Sequence, residues 1–300
     1  MNLFWKLLGG GFLICLLLVA IRFVPPHLQV RSVEPALPDV AEIRSLLSVE
    51  NGPVRLRYVN TSSQRLPQGE LGHTVFLAEW ANGDLFMIDT GMDRATAVEF
   101  GELMELALDA EKAVSHGTIA ELLGDDIMRV SGVGYTHLHI DHTQGTVPFC
   151  ATRGSGAWVF QTTWQSELHN FNTVEGAAIV SDSCLVPGLL GEGRMMAVEG
   201  FPGLGVVALG GHTPGSTLFV IAVEGRIWLL SGDITNSKAD LLSDTGKGFF
   251  YSYVLVPEHS ARSGMLRSWL GRLDANRDMT VVVSHDLADI ASSGMAEYRR

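Results

Sequence analysis

Residues Thr136–Gly145 read Thr-His-Leu-His-Ile-Asp-His-Thr-Gln-Gly, and the rest of the fold is interpreted around this stretch. Four of its six central positions carry groups that bind metals: His137, His139, Asp141 and His142. The preceding run Ile127–Tyr135 has a strand-like pattern, and extended backbone places the first two histidines on one face. A turn after them directs the aspartate and the last histidine towards a second point. The stretch therefore predicts one loop that serves two metal ions.

Imidazole nitrogen and carboxylate oxygen are the donors expected for zinc, with iron, manganese or cobalt as alternatives at such mixed sites. The chain has only 10 histidines among 300 residues, so chance is a poor explanation for three of them at these spacings. A structural zinc site is the other alternative, but such sites use cysteine, and Cys150 is the nearest one. We therefore favour a catalytic metal site.

The His-x-His-x-Asp-His run resembles the signature of the metallo-β-lactamase superfamily. Further segments resemble the family's motifs in the expected order, and they are Phe86–Gly91, Gly210–Ser216, Ser231–Asp233 and Val281–Asp286. Together these matches cover about residues 55–290. The resemblance implies an α/β fold of the αββα sandwich type, in which two sheets pack face to face, helices lie outside, and the metals lie at one sheet edge.

The resemblance also implies seven metal ligands in two sets that share one bridging aspartate. The first metal would be held by His137, His139 and His212, the second by Asp141, His142 and His285, and Asp233 would bridge them. Asp141 is in addition the expected catalytic residue, which orients the nucleophile and passes a proton to the leaving group. Asp89 is expected to be either a partner of a ligand histidine or a buried capping aspartate.

This ligand set predicts a hydrolase with two zinc ions, or with iron or manganese in their place. A hydroxide bridging the metals would attack the carbonyl of a small lactone, ester or thioester. Family members that are true β-lactamases lack the bridging aspartate, whereas acyl-homoserine lactonases and hydroxyacylglutathione hydrolases have it. The alternatives are an oxidoreductase with one iron, like the persulfide dioxygenases, an amide hydrolase of the β-lactamase type, or a binding domain without activity.

The substrate is less sharply indicated. Acyl-homoserine lactonases typically carry a tyrosine three residues after the bridging aspartate, where this chain has Asn236, and Tyr251 or Tyr253 is the possible substitute. The basic residues that grip glutathione are not evident. Further candidates for substrate contact, each with core packing or a surface position as the simpler interpretation, are His73, His169, His259, Trp158, Trp164 and Phe171.

Composition limits the class of partner. The chain is 46% hydrophobic and 18% charged, as expected for a globular protein with one large domain or two small ones. Its formal net charge of −12 argues against a nucleic-acid substrate, because phosphate binding requires a basic surface. A small-molecule substrate is therefore expected, and the oligomeric state is left open.

The N-terminal residues 1–24 predict a single membrane anchor. The uncharged run Leu7–Ile21 is short for a span as a helix, but Lys6 and Arg22 can snorkel, so that Leu3–Val24 reaches about 33 Å. A cleaved signal peptide is the alternative, with Val30–Ser32 as a late cleavage site. Either interpretation exports the catalytic domain to the periplasm or another extracytoplasmic compartment.

After the anchor we predict a Pro-rich linker over residues 25–53, with Pro25–Pro38 as an extended spacer, and a catalytic domain over residues 54–300. Three cysteines occur, and Cys15 lies in the apolar N-terminus. Cys150 and Cys184 would pair in an oxidising compartment, or stay as buried thiols.

Overall fold

A computed structural model describes residues 3–299. Met1 and Asn2 of the predicted anchor and Arg300 of the predicted catalytic domain lie outside the described residues. The strands, in chain order, are β1 (Arg55–Leu66), β2 (Gly69–Glu79), β3 (Leu85–Ile88), β4 (Val114–Ser115), β5 (Val130–Gly134), β6 (Trp158–Phe160), β7 (Val186–Pro187), β8 (Met196–Ala197), β9 (Leu204–Ala208), β10 (Thr217–Val223), β11 (Arg226–Leu230), β12 (Met279–Val282) and β13 (Ala296–Glu297). They form two sheets, and the predicted α/β class is confirmed.

The α-helices are α1 (Leu3–Arg31), α2 (Val40–Arg44), α3 (Arg94–Leu108), α4 (Ile119–Leu123), α5 (Ile140–Thr143), α6 (Thr146–Arg153), α7 (Thr163–Glu167), α8 (Val174–Ser181), α9 (Lys238–Ser243), α10 (Ser260–Asp274) and α11 (Leu287–Ser292). Short 3-10 turns cover Ser45–Ser48 and Gly124–Arg129, and a π-helical turn covers Tyr251–Leu255. The strand predicted over Ile127–Tyr135 is shorter in the structure, because its first three residues belong to the 3-10 turn and β5 begins at Val130.

The first sheet has eight strands in the order β13-β1-β2-β3-β5-β6-β7, with β4 paired to β1. The neighbouring strands β1, β2 and β3 pair antiparallel, whereas β3, β5, β6 and β7 run parallel to one another. The second sheet has five strands in the order β12-β11-β10-β9-β8, and its strands β11 and β12 are parallel. In each sheet the loops that carry the predicted metal ligands follow the carboxyl ends of strands such as β5 and β12.

The main core lies between the two sheets. Aromatic side chains meet there: the ring centroid of Phe86 on β3 lies 4.9 Å from that of Phe201 and 6.1 Å from that of Phe219 on β10. Gly134 of β5 makes room for the Phe219 ring, since a Cβ on Gly134 would lie 2.4 Å from that ring. Two outer cores cover the remaining faces, one under α4, α6 and α8, and one under α2, α9 and α10. Because both sheets are covered on both faces, strands such as β10 are almost wholly apolar.

Helix α1 differs from the prediction at its C-terminal end. The helix continues through Pro25 and Pro26 to Arg31, so the prediction of an extended spacer from Pro25 is wrong over that range. Each proline removes one main-chain hydrogen bond, and contacts with the domain hold the following turn in place. Val30 is fully buried, and the Gln29 side chain donates a hydrogen bond to the carbonyl of His169.

The segment predicted as a linker also packs against the domain. Asp39 caps α2 by accepting a hydrogen bond from the amide of Glu42, and Ile43 and Leu46 are buried in the outer core of the second sheet. Within the described residues, Gly11–Arg31 is long and apolar enough to cross a membrane, with a mean hydropathy of 1.9. A signal sequence satisfies the same criteria of length and composition.

A disulfide joins Cys150 of α6 to Cys184 next to β7, with a Cα–Cα distance of 5.5 Å. This answers the question that the sequence left open. The bond ties the helix that follows the metal-binding loop to the edge of the first sheet. Disulfides persist in oxidising compartments, so the bond is consistent with an exported domain.

We expect Gly145→Ala to destabilise the protein by about 1–3 kcal/mol, because overpacking forces the neighbouring backbone apart. A Cβ at this position would lie 2.1 Å from the carbonyl oxygen of Thr90, which leaves no room for a methyl group. Gly271→Ala in α10 is the matched control, since its nearest neighbour is at 3.9 Å and alanine favours helix by about 1 kcal/mol. Urea unfolding of the full chain in detergent measures both, and equal midpoints would contradict this packing.

Replacing Cys150 and Cys184 by serine removes a cross-link between residues 34 apart in sequence, which we expect to lower the free energy of unfolding by about 3–4 kcal/mol. The same urea titration without reductant measures it. Cys15→Ser is the control, because it leaves the bridge intact. A double variant that unfolds at the midpoint of the parent protein would show that the bond does not form in the folded chain.

Candidate metal centre

The metal-binding loop is fixed from below by Asp89, at the end of β3. Its carboxylate accepts hydrogen bonds from the amide and the hydroxyl of Thr136, each at 2.8 Å. It also accepts one from Nδ1 of His142 at 2.9 Å. Asp89 has a left-handed backbone conformation, with φ +61°, that brings its side chain under the loop. Of the two roles expected for this aspartate, the structure shows the partner of a candidate ligand histidine, and Nε2 of His142 is left facing the centre.

Three histidines form the first group of candidate ligands. His137 and His139 come from the end of β5 and lie 3.0 Å apart between Nε2 and Nδ1. His212 comes from the loop before β10, and its ring centroid is 4.8 Å from each of the other two. The three ligand atoms lie within 4.8 Å of one another. This group contains the residues that the sequence assigned to the first metal.

A second group joins Asp141 and His285 to a residue that had been only a weak candidate, His73. The carboxylate of Asp141 lies 3.3 Å from Nε2 of His285 and 3.5 Å from Nδ1 of His73. His142 is also close, with Nε2 at 3.4 Å from the same carboxylate. The structure thus brings together the residues predicted for the second metal and adds His73, which lies on β2.

Asp233 lies between the two groups. Its carboxylate oxygens lie 3.1 Å from His285 and 3.6 Å from His142 on one side. On the other side they lie 3.9 Å from His212 and 4.0 Å from His137. His137, His142 and Asp233 accordingly form a third set of atoms able to hold one ion. One carboxylate is therefore within reach of histidines from both groups.

The donor atoms fit metal ions better than they fit one another. Four of them are buried yet have no hydrogen-bond partner within residues 3–299: His73 Nδ1, His139 Nε2, His212 Nε2 and Asp233 Oδ1. An unpaired buried polar atom is costly, and such atoms usually have a partner. Imidazole nitrogens and carboxylate oxygens aimed at common points match the coordination preferences of zinc, iron or manganese. The residues present therefore fit a pair of divalent cations.

The electrostatics of the two groups differ. Burial lowers the pKa of His137 and His212 well below 6.5 and that of His139 to about 4, so each presents a neutral nitrogen lone pair. Burial also opposes charge on His285, but the carboxylates of Asp233 and Asp141 outweigh it and raise the pKa to about 10. Positive charge is thus favoured beside these two carboxylates, and metal binding would displace the proton that provides it.

Sequence reasoning missed Glu258, which is buried behind His212. Its carboxylate accepts a hydrogen bond from Nδ1 of His212 at 2.5 Å and another from the hydroxyl of Ser252 at 2.6 Å. Lys247 Nζ lies 3.5 Å from the same carboxylate, and Tyr251 stacks on the His212 ring with centroids 6.4 Å apart. Glu258 belongs to no motif or spacing pattern in the sequence, so only the fold reveals its position behind His212.

The remaining candidates lie elsewhere. His169 Nε2 donates a hydrogen bond to the carbonyl of Gln165 at 3.0 Å, and His259 lies 3.5 Å from Glu34. Asn236 and Trp158 are exposed. The other aromatic candidates, Trp164, Phe171 and Tyr253, do not belong to the ligand groups, and the last two pack against α1.

We expect Glu258→Gln to weaken metal binding by about 10- to 100-fold, because the outer nitrogen of His212 loses its charged partner. Competition with a chromophoric chelator measures the affinity for each ion. Glu192→Gln, at an exposed position, is the control and keeps the affinity of the parent protein. If the two variants bind metal equally well, Glu258 has no part in holding His212.

Comparison with known proteins identifies the family but not the reaction. No curated protein sequence matches the chain significantly. Among solved structures, a quorum-quenching N-acyl homoserine lactone lactonase superposes with a TM-score of 0.60 at 17% identity, covering 83% of this chain and 99% of that one. AiiA of B. thuringiensis with N-decanoyl-L-homoserine bound gives 0.60 at 16% identity, covering 81% and 98%. At such identities the likeness concerns the fold alone.

A third solved structure, AidC, described as a dizinc quorum-quenching lactonase, gives a TM-score of 0.51 at 16% identity over 89% of this chain and 82% of that one. The family model described as metallo-beta-lactamase superfamily matches residues 68–285, which include each candidate ligand. With this match, the layered fold and the His-Asp cluster, the chain belongs to the metallo-β-lactamase superfamily and has the fold of its lactonases and other hydrolases.

Proposed function

We propose that the protein is a metal-dependent hydrolase that uses two zinc ions to add water across the acyl C–O or C–S bond of a small lactone, ester or thioester. The observation that carries this proposal is the position of Asp233, whose carboxylate lies 3.1–4.0 Å from four histidines of both ligand groups. A carboxylate in this position can bridge a pair of cations. The proposed ligands are His137, His139, Asp141, His142, His212, Asp233 and His285.

The divalent cations that these residues would hold would lower the pKa of a bound water and polarise a substrate carbonyl. The protein's own contribution is to hold and move protons. Burial favours a neutral carboxyl on Asp141, but His142, His285 and His73 outweigh it and hold its pKa well below the usual range. Asp141 is therefore ionised, accepts a hydrogen bond from the attacking water, and carries the proton to the leaving oxygen or sulfur.

Tyr251 is the proposed donor to the substrate. Its ring lies parallel to that of His212, so the phenol is beside the first ligand group, in the role that Asn236 does not take. Burial raises the pKa of Tyr251 to about 12, which keeps the phenol protonated as a hydrogen-bond donor. A tyrosine from the segment before Pro257 would then orient the carbonyl oxygen of a lactone or ester.

We further propose that α1 is an uncleaved, single-pass anchor and that the domain is extracytoplasmic. Cleavage near Ser32 would remove Val30, which is fully buried, and the His27 side chain that contacts the carbonyl of Tyr253 at 3.0 Å. A signal peptide has no reason to pack specifically against the mature domain. The Cys150–Cys184 disulfide supports an oxidising compartment.

The test is metal content and turnover of the full chain in detergent, measured by elemental analysis and with a panel of lactones, thioesters and a cephalosporin. We expect about two zinc ions per chain and hydrolysis of a lactone, ester or thioester. Asp233→Asn should lose metal and lower turnover by about 100-fold or more, since the bridge between the sites is gone. Asp125→Asn, an exposed change of the same chemistry, should alter neither.

Three outcomes would contradict the proposal. Full activity of the Asp233→Asn variant would exclude a bridging role. Two bound zinc ions with cephalosporin as the one compound hydrolysed would indicate amide hydrolysis of the β-lactamase type. One bound iron with oxygen consumption would move the protein to the dioxygenase class.

A further inference from the structure

The segment Phe249–Leu255 presents an unusual group of exposed apolar side chains. Phe249 and Phe250 are 75% and 63% exposed, and Val254 and Leu255 are 39% and 44% exposed. Single exposed apolar residues are common on protein surfaces, but a contiguous group that includes two phenylalanines marks an interaction surface. We name these four side chains the apolar edge.

The apolar edge is continuous with α1. Tyr253, within the same segment, stacks on His27 of α1 with ring centroids 5.4 Å apart, and Phe249 also stacks on Tyr253, with centroids 4.6 Å apart. On α1 itself the apolar residues Val24 and Leu28 are also exposed, at 50% and 61%. The helix and the apolar edge therefore form one surface rather than two separate patches.

The position of the domain along α1 is fixed by contacts that begin at Arg22. The guanidinium of Arg22 lies 3.6 Å above the ring of Phe171, and Phe23 makes an edge contact with the same ring at 6.2 Å. The helix from Leu3 to Ile21 is about 28 Å long at 1.5 Å per residue, close to the ~30 Å hydrocarbon core. The domain therefore meets α1 at the level where the hydrocarbon core ends.

The opposite face of the same segment belongs to the metal centre. Tyr251 stacks on His212, and Ser252 donates to Glu258, which in turn holds that histidine. Neighbouring side chains of one short segment thus alternate between the metal centre and the outer surface. A partner bound at the apolar edge would hold in place the backbone that carries Tyr251.

We propose that the apolar edge inserts into the interfacial layer of the lipid bilayer that α1 spans, and so places the metal centre against the membrane. This rests on the proposed anchoring of α1. Phenylalanine side chains partition into the bilayer interface, and the direct continuity with an apolar helix of spanning length makes lipid the partner of this surface. A second copy of the chain is the competing occupant, and the experiment separates the two.

The experiment is electron paramagnetic resonance of spin-labelled full chain in phosphatidylcholine nanodiscs. Cys15 is first replaced by serine, and the disulfide is left intact. Single cysteines for the label are introduced as Phe249→Cys in the apolar edge and Leu17→Cys in the exposed face of α1. Met128→Cys is the matched control, because Met128 is 59% exposed but precedes β5, at the opposite end of that strand from the metal ligands.

The accessibility of each label to oxygen, which dissolves in lipid, and to a water-soluble nickel chelate gives its depth. We expect the ratio of the two accessibilities at Phe249 and at Leu17 to be several-fold higher than at Met128.

Each other outcome overturns the inference in a recognisable way. If Leu17 is in lipid but Phe249 matches Met128, the anchor stands and the apolar edge does not contact lipid. If neither Leu17 nor Phe249 is in lipid, the proposed anchoring itself is wrong. If the Phe249 label shows dipolar broadening that disappears on dilution with unlabelled protein, a second copy covers the surface instead.

Discussion

The structure depends on the cost of burying several ionisable groups at one sheet edge. Asp141 and Asp233 are almost fully buried, and carboxylates in such a place are unfavourable unless positive charge lies beside them. The matching histidines come from three separate loops and from strand β2, so the two sheets must align before the pairs that join them, such as His285 with Asp141, can form. Glycines allow the close approaches that this alignment needs: Gly134 faces the Phe219 ring of the second sheet, and Gly145 faces the carbonyl of Thr90.

Two further buried carboxylates hold the histidines from behind. Asp89 accepts from Nδ1 of His142, and Glu258 accepts from Nδ1 of His212. In both histidines Nε2 is thereby directed at the centre, and a carboxylate partner of this kind orients a metal-binding histidine. Asp89 follows β3 of the first sheet, and Glu258 lies between β11 of the second sheet and α10. The packing between the two sheets therefore sets the relative position of the two ligand groups.

The sequence allowed much of this to be predicted. Short-range spacing predicted the strand-and-loop origin of His137 and His139, and the family resemblance predicted the distant candidate ligands His212, Asp233 and His285, which the structure places beside them. What could not be predicted depends on tertiary contacts. Glu258 has no motif, the role of His73 depends on the pairing of β2, and the helix through Pro25 contradicts local preference because packing against the domain stabilises its last turns.

The docked end of α1 also determines the reach of the protein. A Pro-rich spacer over Pro25–Pro38 would have let the domain stand as far as about 43 Å from the bilayer at 3.1 Å per residue. With Gln29 bonded to the domain and Val30 buried in it, that freedom is absent. If α1 is the anchor, the height of the metal centre above the lipid is a fixed property of the fold, and molecules held farther away must diffuse to it.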